Sequence, residues 1–145
     1  MKVEDIREKL FNINAVFEII QHDIPIKSKK DATGYFKIEE TAPTLIVQTQ
    51  NDFYALIISG ERHKVDLELI KKLLGSKKLS LANKTELSEK FGLEAGQIPL
   101  VGHDLPCIID KLLFKYEFVY GGTGNCFFTL KIKPCDLVKA NNVIL

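Results

Sequence analysis

The chain has 145 residues, of which 46% are hydrophobic and 27% charged, with a net charge of only +1. This is the profile of a soluble globular protein folded as one domain, and no apolar run approaches membrane-spanning length. The near-neutral balance excludes nucleic-acid recognition by overall charge, so such a partner would need a local basic patch. The first residues are charged and amphipathic, so no secretory signal is expected and a cytoplasmic location is. Cys107, Cys126 and Cys135 are odd in number and widely spaced, which argues for free thiols and against a disulfide framework or a Cys-x-x-Cys metal site.

Val3, Ile6 and Leu10 recur at helical spacing, with Glu4 and Asp5 early and Arg7 and Lys9 late. That charge order suits the helix dipole and predicts a helix near residues 3–11, ended by Asn12 and Asn14. Residues 15–21 read as a strand, and His22-Asp-Ile-Pro25 as a turn into an extended piece. Lys27, Lys29 and Lys30 form a basic cluster of the kind a solvated face carries, and residues 31–34 a short helix. Residues 44–49 and 53–59 form a hairpin around Gln50-Asn51-Asp52. Asp66 is a good N-cap for a helix over Leu67–Leu74, closed by Gly75. Residues 79–82 are a short strand. Asn83, with Glu86 three residues on, is close to a capping box and starts a helix that ends at Gly92.

From Cys107 an apolar run reads as a buried strand. Residues 114–120 read as another, 121–125 as a turn and 126–132 as the return strand. Pro134 stops it, and Asp136 caps a last helical turn. Strands outnumber helices and most join by tight turns. The expected fold class is α+β, with a mixed, mostly antiparallel central sheet, curled and barrel-like, and a few helices packed outside.

The stretch from Phe91 to Asp110 stands out. Gly92, Gly96, Gly102, Pro99 and Pro106 fall within sixteen residues of it. Gly96 has no side chain to keep a ligand off the backbone. The prolines fix the path. Such a stiff loop, rich in N–H groups, serves either as a binding rim or as a plain connection. His103 sits within it, as a ligand contact or as a solvated loop residue. Cys107 is near His103 in sequence, but three intervening residues on a loop do not make a dyad, and a buried strand cysteine behaves as a small apolar residue. Gly121-Gly122-Thr123-Gly124 lacks the Lys-Ser/Thr of a P-loop; it is a hairpin turn or a small anion nest. His22, His63 and His103 share no ligand spacing with the cysteines. Asp110, at a strand end, suits bonding to nearby loop N–H groups better than acid–base chemistry.

Several segments together resemble the YbaK / prolyl-tRNA synthetase-associated editing-domain family. Phe17-Glu-Ile-Ile-Gln-His22 is similar to its first strand and the His that follows. Thr44-Leu-Ile-Val resembles the strand that opens its sheet. Val65-Asp-Leu and the run from Leu73 to Ala82 resemble its helix and the strand ending in Ala. Gly92-Leu-Glu-Ala-Gly-Gln-Ile-Pro99, with Val101-Gly102, resembles its glycine loop. Cys107-Ile-Ile-Asp110, Gly121-Gly122 and Ile132-Lys-Pro-Cys-Asp-Leu137 complete the order.

The resemblance implies that residues 1–145 are a single editing domain of the free-standing form. It would be a deacylase acting in trans on the ester between a mischarged small amino acid and the 3′ end of tRNA, with no cofactor and no metal. Backbone N–H groups at Gly96, Gln97 and Ile98 would hold the ester for catalysis. Thr44, Pro99, Gly102, His103, Asp110, Gly121, Gly122, Thr123 and His22 would bind substrate. The implied partners are the acceptor end of aminoacyl-tRNA and an aminoacyl-tRNA synthetase, with no membrane and no DNA. Two positions depart from the family pattern. Pro43 stands where many members carry a tRNA-contacting Lys, and the usual loop Pro falls at Leu100, with Pro99 just ahead. Lys37, Arg62 or Lys64 would be the replacement charges. The alternatives are a non-catalytic module that holds tRNA ends or nucleotides, and an enzyme using Cys107.

Overall fold

Caps and apolar spacing set the helices of the structure, a computed structural model that describes residues 2–62, 64–94 and 97–145. Helix α1 (Val3–Asn12) buries Ile6 and Leu10, and its Asp5 carboxylate accepts the Lys2 N–H at 2.8 Å. The short α2 (Lys29–Ala32) starts on Ser28, whose hydroxyl accepts from the Asp31 N–H. Helix α3 (Leu67–Leu74) is capped by Asp66, which accepts from the Leu69 N–H at 3.1 Å; α4 (Lys84–Phe91) is capped by Asn83, which accepts from the Glu86 N–H at 2.8 Å. Both end on a left-handed glycine, Gly75 and Gly92 (φ 66° and 64°), as the sequence predicts.

The strands form two sheets. Five strands, β2 (Thr44–Gln48), β3 (Phe53–Ile57), β4 (Ser80–Leu81), β5 (Pro106–Ile109) and β8 (Asn142–Val143), lie in the order β4-β2-β3-β5-β8. Strands β1 (Phe17–Gln21), β6 (Val119–Gly122) and β7 (Phe128–Ile132) form the second sheet, in the order β1-β7-β6. Pairing is antiparallel except for β3 with β5 and β5 with β8, so the five-stranded sheet is mixed, the smaller sheet wholly antiparallel, and the fold mostly antiparallel. The expectation of one curled, barrel-like sheet is corrected: among the described residues no closed barrel forms. A backbone bridge between Thr41 and Tyr120 joins the two sheets, and there the Ala42 N–H donates to the Tyr120 carbonyl at 2.7 Å. Pro43 follows at once and faces the other way, its carbonyl accepting the Ile58 N–H at 3.0 Å.

Strand periodicity explains the layers. Ile46, Ala55 and Cys107 enter the main core together with Ile6 and Leu10 of α1 and with Val119, Leu130 and Ile132 of the smaller sheet. Their neighbours Val47, Leu56 and Ile108 point the other way and pack with Ile70 of α3. The five-stranded sheet is therefore covered on both faces, by α3 on one and by the second sheet on the other.

Three further expectations are corrected. Residues 114–120 are not a strand: a 3-10 helix covers Lys111–Lys115, capped by Asp110, which accepts from the Leu112 N–H at 3.0 Å, and only Val119–Gly122 is extended. Gly121 and Gly122 belong to β6, so the turn begins at Thr123. Asp136 is not a cap. Helix α5 (Pro134–Ala140) starts with Pro134 in its first turn, and buried Asp136 accepts the Val16 N–H at 2.8 Å, tying the helix to the chain before β1. The 3-10 turn Ile38–Glu40 and strand β8 carry no clear sequence signal. Among the described residues no helix is long and apolar enough to cross a membrane.

Candidate functional site

A cavity of about 260 Å³ opens beside the junction of the two sheets. Thr41 to Leu45 form one wall, and Tyr120 to Cys126, with Phe128 and Thr129, form the opposite one. Ile26, Ser28, Ala32 and Phe36, around α2, close a third side, and Gln97 and Ile98 enter from the glycine loop. No acidic, basic or histidine side chain is among the described residues that line it. Desolvating a charge without a partner is costly, so the space suits an uncharged group. Its volume is below the roughly 300–1,000 Å³ of drug-sized sites, which limits the enclosed part of a ligand to something small.

Glycines bring the loop into place. A Cβ at Gly122 would stand 2.5 Å from the Ile98 carbonyl oxygen, and one at Gly121 would stand 2.4 Å from the Leu100 side chain. Only bare backbone lets residues 98–100 lie against β6, where the Leu100 N–H donates to the Gly122 carbonyl at 3.0 Å. Pro99 packs over the same spot, its Cα 3.9 Å from where a Gly122 Cβ would be. The Gln97 N–H is occupied by the Glu94 carbonyl at 3.0 Å, whereas the Ile98 N–H meets no acceptor among the described residues.

The polar groups of the wall differ in their satisfaction. Thr123 donates to the Phe128 carbonyl at 3.0 Å and accepts from the Asn125 N–H, so it builds the turn; Thr41 donates to the Ile38 carbonyl at 2.6 Å. The Thr44 hydroxyl is buried and has no partner among the described residues. Thr129 is bonded at 3.0 Å to His22, whose ring lies one hydrogen bond behind the wall.

Of the sequence-assigned positions, the structure gathers Thr44, Gln97, Ile98, Gly121, Gly122 and Thr123 at the cavity, with Pro99 against it. Gly96, like His63, lies outside the described residues. Gly102 (φ 92°) and His103 do not line the cavity. His103 Nδ1 accepts the Leu105 N–H at 3.1 Å, and burial lowers the imidazole below its usual pKa against the opposing charge of Asp104. Asp110 is also elsewhere. It caps the 3-10 helix, accepts the Ser59 N–H at 3.0 Å and pairs in two-pronged fashion with Arg62, whose Nη2 donates to Oδ1 at 2.9 Å. Arg62 is therefore engaged by this carboxylate. Burial pushes the Asp110 carboxyl up, but the hydrogen bonds from Arg62, Ser59 and Leu112 and the guanidinium charge together hold it below the usual carboxylate value.

Thr129 and Phe36 were not signalled by sequence; a Thr in an apolar strand becomes a wall residue only once register is known. Cys107 is fully buried in the main core, and burial pushes its thiol up to about 12, which removes it as a nucleophile at neutral pH. Among the described residues no three His, Cys, Asp or Glu side chains cluster to hold a metal ion.

The chain and its fold have counterparts among known proteins. The sequence model of the aminoacyl-tRNA editing domain matches residues 25–140. A proline–tRNA ligase of Thermosipho africanus is 28% identical over 97 residues, which are 66% of this chain but only 17% of that enzyme. The crystal structure of a hypothetical protein superposes with a TM-score of 0.85 at 25% identity, covering 95% of both chains. A candidate trans-editing enzyme for prolyl-tRNA synthetase superposes with a TM-score of 0.82 at 20% identity, covering 98% of this chain and 94% of the other. The loop, the glycine strand and the cavity all fall within the matched span, and the chain belongs to the aminoacyl-tRNA editing domain family.

Proposed function

We propose that residues 1–145 act as a single editing domain, an aminoacyl-tRNA deacylase working in trans on the ester between a mischarged small amino acid and the tRNA 3′ end. The observation that carries this reading is the small, uncharged cavity into which the glycine strand brings the Ile98 backbone. An uncharged aminoacyl group fits that space, and an N–H preorganised toward the developing oxyanion is worth about 10²–10³ in rate. Gly96, Gln97 and Ile98 form the ester-holding loop, with Ile98 donating. Thr44, Pro99, Gly121, Gly122 and Thr123 shape the pocket. His22 supports it from behind through Thr129, whereas Gly102, His103 and Asp110 lie away from the pocket and take no direct part. The tRNA acceptor end is the partner, and the ligase relative and the trans-editing neighbour point to the prolyl system. Release of a small amino acid from mischarged tRNA at catalytic protein concentration tests the reading.

This chemistry uses neither thiol nor metal. Cys107→Ala and treatment with chelator are each expected to change the deacylation rate by less than tenfold, about 1.4 kcal/mol in barrier. A larger loss on either treatment, measured as initial rates with the protein still folded, contradicts the backbone-centred mechanism.

One observation favours a second reading. Pro43 lines the cavity where family resemblance expects a Lys, and a pocket without that cation could hold the tRNA end or a nucleotide with no turnover.

A further inference from the structure

We propose that Thr129 and His22 form the proton-transfer pair of the cavity, with Thr129 the catalytic hydroxyl and His22 a positioning residue that acts through it. This rests on the deacylase reading above. His22 Nδ1 lies 2.8 Å from the Ile24 carbonyl oxygen, which can only accept. Nδ1 therefore carries the proton, the neutral ring presents Nε2 as an acceptor, and Thr129 Oγ1 at 3.0 Å donates its hydroxyl hydrogen to it. Hydroxyl, imidazole and an orienting acceptor in that order are the arrangement that activates a hydroxyl.

Both side chains are buried, Thr129 at 6% exposure and His22 at 7%, and of the two only Thr129 lines the cavity. A structural pin between the end of β1 and β7 would need the same hydrogen bond, but it would not need the hydroxyl in the cavity wall. Placement distinguishes the two. Thr129 is the cross-strand partner of Gly122, and such partners point to one face with Cβ positions about 4.5–5.5 Å apart. The Ile98 carbonyl lies 2.5 Å from where a Gly122 Cβ would be, so the glycine loop crosses that face next to Thr129. The hydroxyl and the loop thus meet one bound ester together. The Tyr35 ring packs on the imidazole with centroids 5.4 Å apart, and Asp23, beside His22 in the chain, is exposed.

In the step, a water oxygen attacks the ester carbonyl carbon. Its proton passes to Thr129 Oγ1 as the Thr129 proton passes to His22 Nε2, leaving an imidazolium still bonded to Ile24. Collapse breaks the ester C–O bond, and the proton returns through Thr129 to the departing ribose oxygen. Water has added across the ester, and the pair is restored.

The test compares kcat and KM against pH for the protein and for Thr129→Val, Thr129→Ser and His22→Gln, with melts to confirm folding. Positioned proton transfer contributes about 10²–10⁴ in rate, so Thr129→Val and His22→Gln should lose at least about 10²-fold in kcat with KM little changed. Thr129→Ser keeps a hydroxyl and should stay within about tenfold of the parent rate. The parent rate should fall on acidification, and His22→Gln should abolish that acid limb. Should Thr129→Val not fold, Thr129→Ser and the His22→Gln profile decide. Full rate in Thr129→Val or His22→Gln, an unaltered acid limb in His22→Gln, or a loss confined to KM overturns the pair while leaving the deacylase reading intact. No release from any mischarged tRNA by the parent protein overturns both.

Discussion

Gly122→Ala is expected to lower kcat/KM for deacylation by at least about 10²-fold, the size of loss that a 1 Å misplacement of reacting groups produces. The added Cβ would sit 2.5 Å from the Ile98 carbonyl oxygen, a backbone atom that cannot rotate away. The loop must therefore lift, taking the Ile98 N–H with it and stretching the bond between Leu100 and Gly122. Overpacking of this kind costs about 1–3 kcal/mol, which in a domain of this size lowers Tm by roughly 3–10 °C. Gly34→Ala is the control, since its Cβ would meet nothing closer than 3.8 Å and both measures should stay near the parent. Calorimetry and initial rates on the two variants check the contrast. A Gly122→Ala protein with parental activity would show that the close approach of strand and loop does not matter to catalysis.

Asp110→Ala should produce the largest loss of stability, about 2–4 kcal/mol, or roughly 5–15 °C in Tm. The change leaves the Ser59 and Leu112 N–H groups without this acceptor and removes the carboxylate that the Arg62 guanidinium grips. The ion-pair part is discounted because the Arg62 side chain is 46% exposed, while that of Asp110 is 5% exposed. The pH dependence has a definite sign. The folded pKa of Asp110 is depressed, so the unfolded chain takes up the proton first. Its contribution is fully present above the ordinary Asp value of about 3.9 and is lost as pH falls through the lower folded value. Denaturant melts should therefore show the gap between parent and Asp110→Ala constant at neutral pH and closing below about pH 4. Activity should track the folded fraction. A raised KM in fully folded Asp110→Ala would instead place this carboxylate in contact with substrate.

Local chemistry made the helices legible and left the assembly hidden. Asp66 with Gly75, and Asn83 with Gly92, bracket α3 and α4 because a cap and a left-handed glycine act within one turn of chain. The division into two sheets could not be read this way, since the bridge that joins them brings Thr41 and Ala42 to Tyr120, residues far apart in sequence. The 3-10 helix over Lys111–Lys115 was hidden for a similar reason: Leu112, Leu113 and Phe114 look like strand until Asp110 is seen to cap them. At the site, glycine marked the right strand for a different physical role. Gly121 and Gly122 read as a turn or an anion nest, whereas their bare backbone admits the loop. His103 and Asp110 are near the loop in sequence but are held by Leu105 on one side and by Arg62 on the other. Thr129 was invisible because its importance comes from register with Gly122 and from the bond to His22, and neither shows in a lone Thr.

The central claim is turnover of a mischarged ester. Its most direct measurement incubates catalytic amounts of the protein with a panel of tRNAs, each charged with a labelled small or a charged amino acid, and follows release of the label. The account predicts release of at least one small uncharged amino acid over many turnovers, and none of a charged one, because no charged side chain is among the described cavity residues to receive it. Binding of the acceptor end without release of any amino acid would contradict it.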